Sequence, residues 1–208
     1  MDIFLNPDKF LQRSFTWKEP IIVLFLAAVV AVYSASILAP YIAESTRELL
    51  LGEGLDASTV EGIVRLTYLM SIVGAAAGIF INWIIYSALI YFAAYLLKGK
   101  GSFTNLMKLV AFSFVPTLVL SPFSIFLVYD TAEMISKFGL QALSSINVSQ
   151  VILSLATYAW SYMYLLFAAK NGLNLDIKKA AISAAAPLIL IAIFSVIGFA
   201  SAYLGSIL

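Results

Sequence analysis

The chain has 208 residues, 62% of them apolar and 11% charged, with a formal net charge of +1. Soluble domains average about half apolar and about a quarter charged, so a water-soluble fold is not expected and no charge bias points to nucleic acid. Cysteine and histidine are both absent, which removes disulfides, thiol nucleophiles, imidazole bases and the usual zinc and haem ligands, and no cofactor is expected.

The first 19 residues carry Asp2, Asp8, Lys9, Arg13, Lys18 and Glu19 and no apolar stretch, so no cleavable signal is expected. Asn6 can cap a helix with Pro7 at its first position, and Phe10, Leu11 and Phe15 then share a face away from Lys9, Gln12 and Arg13. That pattern predicts an amphipathic helix lying in the membrane interface as a tether, with partner binding as the second reading.

Beyond residue 19, charged residues separate five uncharged runs, 20–43, 66–97, 109–129, 138–169 and 180–208. Each exceeds the roughly 20 residues that cross a bilayer as a helix, and the lack of period-2 alternation excludes a barrel. The predicted fold is all-α: a single polytopic five-helix bundle with spans at about 20–43, 69–97, 109–129, 150–169 and 180–204.

Between the first two spans, residues 44–65 are acidic and interrupted by Gly52 and Gly54, which predicts two solvated helix extensions around a turn. In the second span Gly74 and Gly78 enclose three alanines, and Gly198, Ala202 and Gly205 give the fifth a similar seam. Such surfaces let backbones approach closely; internal packing is the preferred reading and self-association the alternative. Lys98-Gly99-Lys100-Gly101-Ser102 lacks the spacing of a phosphate loop and reads as a tight turn. Pro116 and Pro122 are expected to kink the third span and Pro187 the fifth. Residues 132–143, with Met134, Ile135, Phe138 and Leu143, suggest a short helix on the outer surface.

No span has an ionisable residue in its middle, which argues against proton relays, voltage sensing and intramembrane aspartyl proteolysis. Ser154, Tyr158, Ser161 and Tyr162 share a face of the fourth span, and Asn82 in the second is placed to hydrogen-bond across to them. Interhelical bonding is preferred over a solute path. A serine without a base nearby leaves no nucleophilic mechanism, so the chain is not expected to be an enzyme.

Lysine and arginine set the orientation. The N-terminal segment and the second and fourth connections hold nine of the twelve basic residues, whereas the other connections hold three basic and seven acidic ones. The N-terminus is therefore expected in the cytoplasm and the C-terminus outside.

Asn6-Pro7-Asp8-Lys9-Phe10 before the first span, Gly99-Lys100-Gly101-Ser102-Phe103 after the second and Phe112-Ser113-Phe114-Val115-Pro116 in the third resemble the Yip1 family of small multi-span membrane proteins. The resemblance implies a compact five-helix bundle. Eukaryotic members bind prenylated Rab GTPases and one another in Golgi and endoplasmic reticulum membranes. They also carry a long cytosolic N-terminal region with an Asp-Leu-Tyr-Gly-Pro motif. This sequence has no such motif, so Rab binding is not carried over, and the short form looks like a member from a prokaryotic plasma membrane. The expected role is a scaffold or adaptor associating with itself or with other membrane proteins in the lipid bilayer; the alternative is a small permease or channel for a neutral or lipid-like solute.

Overall fold

The computed structural model describes the backbone of residues 2–144 and 147–205, with side chains throughout except at 2, 5, 143, 144, 191, 192 and 194–205. Among these residues the fold is all-helical, without strands. In chain order the helices are α1 (Asp2–Leu5), α2 (Pro7–Leu11), α3 (Lys18–Gly52), α4 (Ala57–Leu96), α5 (Phe103–Val110), α6 (Val115–Phe138), α7 (Val148–Leu173) and α8 (Ile177–Gly205). Tight 3-10 turns at Ala111–Phe114 and Gly139–Ser144 follow α5 and α6. Four segments among the described residues are long and apolar enough to cross a membrane: Lys18–Gly52, Ala57–Leu96, Phe103–Ala142 and Val148–Leu173. The protein is thus a multi-pass membrane protein.

The helices outrun the spans read from the sequence. α4 begins at Ala57, so that the span read from about Leu69 is preceded by the expected helix extension, and α6 continues through Asp130, Glu133 and Lys137 to Phe138 in place of a separate surface helix over 132–143. Charges mark where apolar solvent ends, whereas a helix carries on while its backbone is hydrogen-bonded and its side chains reach water. The third span is broken instead at Ala111–Phe114, after which α6 starts with Pro116 in its first turn. Proline has no N–H to give there, and this is where it is tolerated. α6 and α8 run on through Pro122 and Pro187, and α3 through Pro40.

The chain divides into two compact units. The first comprises the described residues within 1–20, 82–113 and 162–208, the second those within 21–81 and 114–161. The first unit's ranges hold nine basic and four acidic residues and the second's three and seven.

In the second unit, α3 and α4 meet in a hairpin. Leu55 N–H bonds Leu50 O, Gly54 takes a φ of +81° that suits glycine, and Ala43, Val60 and Val64 pack with Leu50 and Leu55. The Asp56 carboxylate opens α4 by accepting from the Ser58 hydroxyl and from the Ser58 and Thr59 backbone N–H groups. These bonds hold its carboxyl far below the usual range. Arg47 bridges the hairpin by pairing with Glu44 on its own helix and with Glu61, 3.0 Å away. In the connection after α6, Asn147 caps α7, accepting from Ser149 N–H at 3.0 Å and donating to Asp130.

Candidate functional site

In the first unit the N-terminal segment is docked, where the sequence suggested a tether in the interface. Asn6 caps α2 as expected, accepting from Lys9 N–H at 3.0 Å with Pro7 at the first position. α2 spans only Pro7–Leu11, and Pro7 and Leu11 are buried. Its Asp8 carboxylate accepts from Lys170 Nζ at 2.6 Å and from Asn171 Nδ2 at 3.0 Å, both at the end of α7. The Tyr164 hydroxyl, fully buried, donates to Ile3 O. Phe10, Phe15 and Phe112 form a three-ring cluster with centroids 4.6–5.1 Å apart. Lys108 Nζ donates to Phe15 O and lies 5.3 Å from the Trp17 ring, whose edge meets Trp83. An isolated five-residue helix has no stability of its own in water; these contacts explain why this one forms.

Two connections cross at close range beside it. Lys100 N–H bonds Leu173 O at 2.8 Å and Asn174 Nδ2 bonds Lys100 O at 2.8 Å. A Cβ on Gly101 would overlap the Gly172 carbonyl oxygen and come within 2.7 Å of Leu173 Cα, so only glycine allows this approach. Each preceding helix ends in a left-handed residue, Lys98 at φ +62° after α4 and Asn174 at φ +52° after α7. Gly99 N–H reaches Ala94 O and Leu175 N–H reaches Lys170 O, as in the Schellman termination. Asn adopts that conformation at little cost and Lys at a greater one. Lys98→Gly is therefore expected to raise stability by about 1 kcal/mol; a denaturation midpoint equal to or below that of the parent would contradict this. Asp176 then caps α8 by accepting from Lys179 N–H at 3.0 Å, which keeps its carboxyl below the ordinary value.

Between α2, α5 and the α7–α8 connection lies a pocket of about 530 Å³. Its floor is apolar, with Leu11, Leu109 and Leu175 all buried, and its wall carries Gln12, Ser14, Asn105, Asn171 and Asn174. The ionised residues lining it are Arg13 and Lys170, both cationic.

The residues singled out in the sequence lie elsewhere. Gly74 is exposed and Gly78 half-exposed on α4, and a Cβ on either would meet nothing within 4 Å. Asn82, further along α4, is exposed and makes no side-chain hydrogen bond among the described residues. Ser154 and Tyr158 are exposed and Ser161 is half-buried. Tyr162 is half-buried and donates to Ala181 O on α8 at 2.9 Å. The side chains at Gly198, Ala202 and Gly205 lie outside the described residues.

Sequence reasoning missed the Asp8–Lys170–Asn171 bonds and the Gly101–Gly172 crossing. The available signal was in the fragments that carried the resemblance: Asp8, Phe10, Gly101 and Phe112 all sit in this docked region. No curated protein and no solved structure gives a significant match. A family model for the Yip1 domain matches residues 1–199, nearly the whole chain, and the protein belongs to the Yip1 domain family.

Proposed function

We propose that this protein is a five-span, non-enzymatic membrane scaffold or adaptor that associates laterally with a second copy of itself through α4. The fifth span in this reading is α8, a helix of 29 residues that is uncharged from Ala180 onward and longer than the roughly 20 residues a bilayer requires. The charge distribution supports a cytoplasmic N-terminus.

The observation that carries the reading is the face of α4 bearing Gly74, Gly78 and Asn82. The glycines leave a groove that no described residue fills within 4 Å. Asn82 falls midway along the uncharged run 66–97, where an amide without a partner costs several kcal/mol in hydrocarbon. A second copy placed by a two-fold axis brings glycine against glycine and lets the Asn82 amides, each both donor and acceptor, satisfy one another. Val73, Ile81 and Ile85, all exposed, flank this face. The solute-path alternative gains no support, since Ser154 and Tyr158 are exposed and the Tyr162 hydroxyl is already bonded.

Native mass in mild detergent tests the proposal. The wild type is expected as a dimer and Gly74→Leu/Gly78→Leu as a monomer with an unchanged melting temperature, because both added side chains enter open space. A wild-type monomer, or a double variant that keeps the dimer, would sink it.

A further inference from the structure

We propose that the crossing of the α4–α5 and α7–α8 connections is a docking surface for anionic phospholipid headgroups, made by Lys98, Lys100 and Lys178. Gly74, Gly78 and Asn82 take no part in it, so it stands whether or not the chain associates with itself. The two connections and the first turn of α8 carry four lysines against one carboxylate, Asp176. That carboxylate is already engaged, accepting from Lys179 N–H at 3.0 Å and lying 3.6 Å from Lys179 Nζ. Lys98, Lys100 and Lys178 are exposed, and none of their ammonium groups has an ion pair, hydrogen bond or ring contact among the described residues. Their backbones are held together. Lys100 N–H bonds Leu173 O, Asn174 Nδ2 bonds Lys100 O, and Gly99 lies against Leu175, three residues before Lys178. One pinned corner of the first unit therefore presents three uncompensated positive charges.

Lys98 makes the assignment specific. It follows α4 at a φ of +62°, a conformation that costs lysine more than glycine. Backbone strain of this kind is kept at binding and switch sites, and the side chain it carries here is a free ammonium. The surroundings point to a bilayer rather than a soluble polyanion. Tyr95 and Leu96 in the last turn of α4 and Ile177 at the start of α8 are exposed beside the lysines. The uncharged run of α4 stops at Leu97 and that of α8 starts at Ala180, so the lysines stand where hydrocarbon gives way to headgroups. Lysine stems lie along apolar surface while the ammonium reaches the phosphates, and each lysine at an anionic membrane surface contributes about fivefold in affinity.

The test titrates the full chain in a non-ionic detergent with phosphatidylglycerol or phosphatidylcholine and counts bound lipid by native mass spectrometry. Phosphatidylglycerol is expected to bind preferentially. Lys98→Gly should bind it about fivefold more weakly while melting no lower than the parent in detergent alone, an opposition that a merely structural lysine does not produce. Lys98→Arg keeps the charge and should stay within about twofold of the parent. Lys137→Gln removes an equal charge on α6, one already paired with Glu133, and should also stay within about twofold. Lys98→Gly/Lys100→Gln/Lys178→Gln should lose about a hundredfold. Polyglutamate that fails to displace the lipid would support a bilayer as the partner; displacement as effective as that by excess phosphatidylglycerol would overturn it in favour of an acidic protein segment. Binding blind to headgroup charge, a Lys98→Gly protein that binds phosphatidylglycerol like the parent, or an equal loss in Lys137→Gln would overturn the proposal.

Discussion

Gly101→Ala is expected to be the most damaging single-methyl substitution in the first unit, costing about 3 kcal/mol or more. The added carbon overlaps the Gly172 carbonyl oxygen and lies 2.7 Å from Leu173 Cα, and both obstacles are backbone. A flexible side chain could swing away; a backbone carbonyl at the end of α7 can yield only by moving the connection. That movement would break the Lys100 N–H to Leu173 O bond and the Asn174 to Lys100 O bond together. Gly172→Ala meets Leu106 Cα and Leu109 Cδ1 at 3.3 Å and should cost less, since small adjustments relieve contacts of that length. Thermal unfolding of the two variants in the same detergent checks the order. A Gly101→Ala protein as stable as the parent would show that the two connections have room to move apart.

Removing the partner of Asp8 should have the next largest effect. Lys170→Met keeps the length of the side chain and discards its charge, leaving a carboxylate that is only 28% exposed without its ammonium. The expected cost is about 1–3 kcal/mol, concentrated in release of α1 and α2 rather than in global unfolding. Hydrogen exchange at the Phe10 amide, which bonds Asn6 O at 3.0 Å, should accelerate in the variant, while amides in the α3–α4 hairpin keep their rates. Uniform acceleration, or none, would contradict the assignment. The same interaction sets a pH dependence. Burial pushes the Asp8 carboxyl up, but the hydrogen bonds from Lys170 and Asn171 and the Lys170 charge outweigh it, and the group titrates below its ordinary 3.8. Because the folded value is the lower one, docking has its full support from this pair above about pH 4 and loses it as the pH falls through the depressed value.

The parts of the fold fixed by local physics were legible. Asn6-Pro7 announced a capped helix start, and Gly52 and Gly54 announced the turn between two helix extensions, both as found. Uncharged run length identified helices but misplaced the end of the third, because Asp130 and Glu133 lie on a helix that extends past the apolar window. Ser102, whose hydroxyl caps α5 by accepting from Asn105 N–H at 3.1 Å, is a local signal that the charge boundary at Lys108 overshadows. The docked N-terminus was not legible, because Asp8 and Lys170 stand 162 residues apart and no periodicity links them. The pocket depends on three separate elements meeting and was illegible for the same reason. Gly74 and Gly78 were recognised as a seam, but spacing alone does not say which way a helix face points.

The absence of cysteine makes one measurement of lateral association unusually clean. A single cysteine at Gly78, where the added atoms meet nothing within 4 Å, should form an intermolecular disulfide in native membranes under mild oxidation. A single cysteine at Phe126, 72% exposed on α6, serves as the control for random collision. Cross-linked dimer from position 78 and little from position 126 is the predicted result; equal yields from both, or none from position 78, would contradict association through α4.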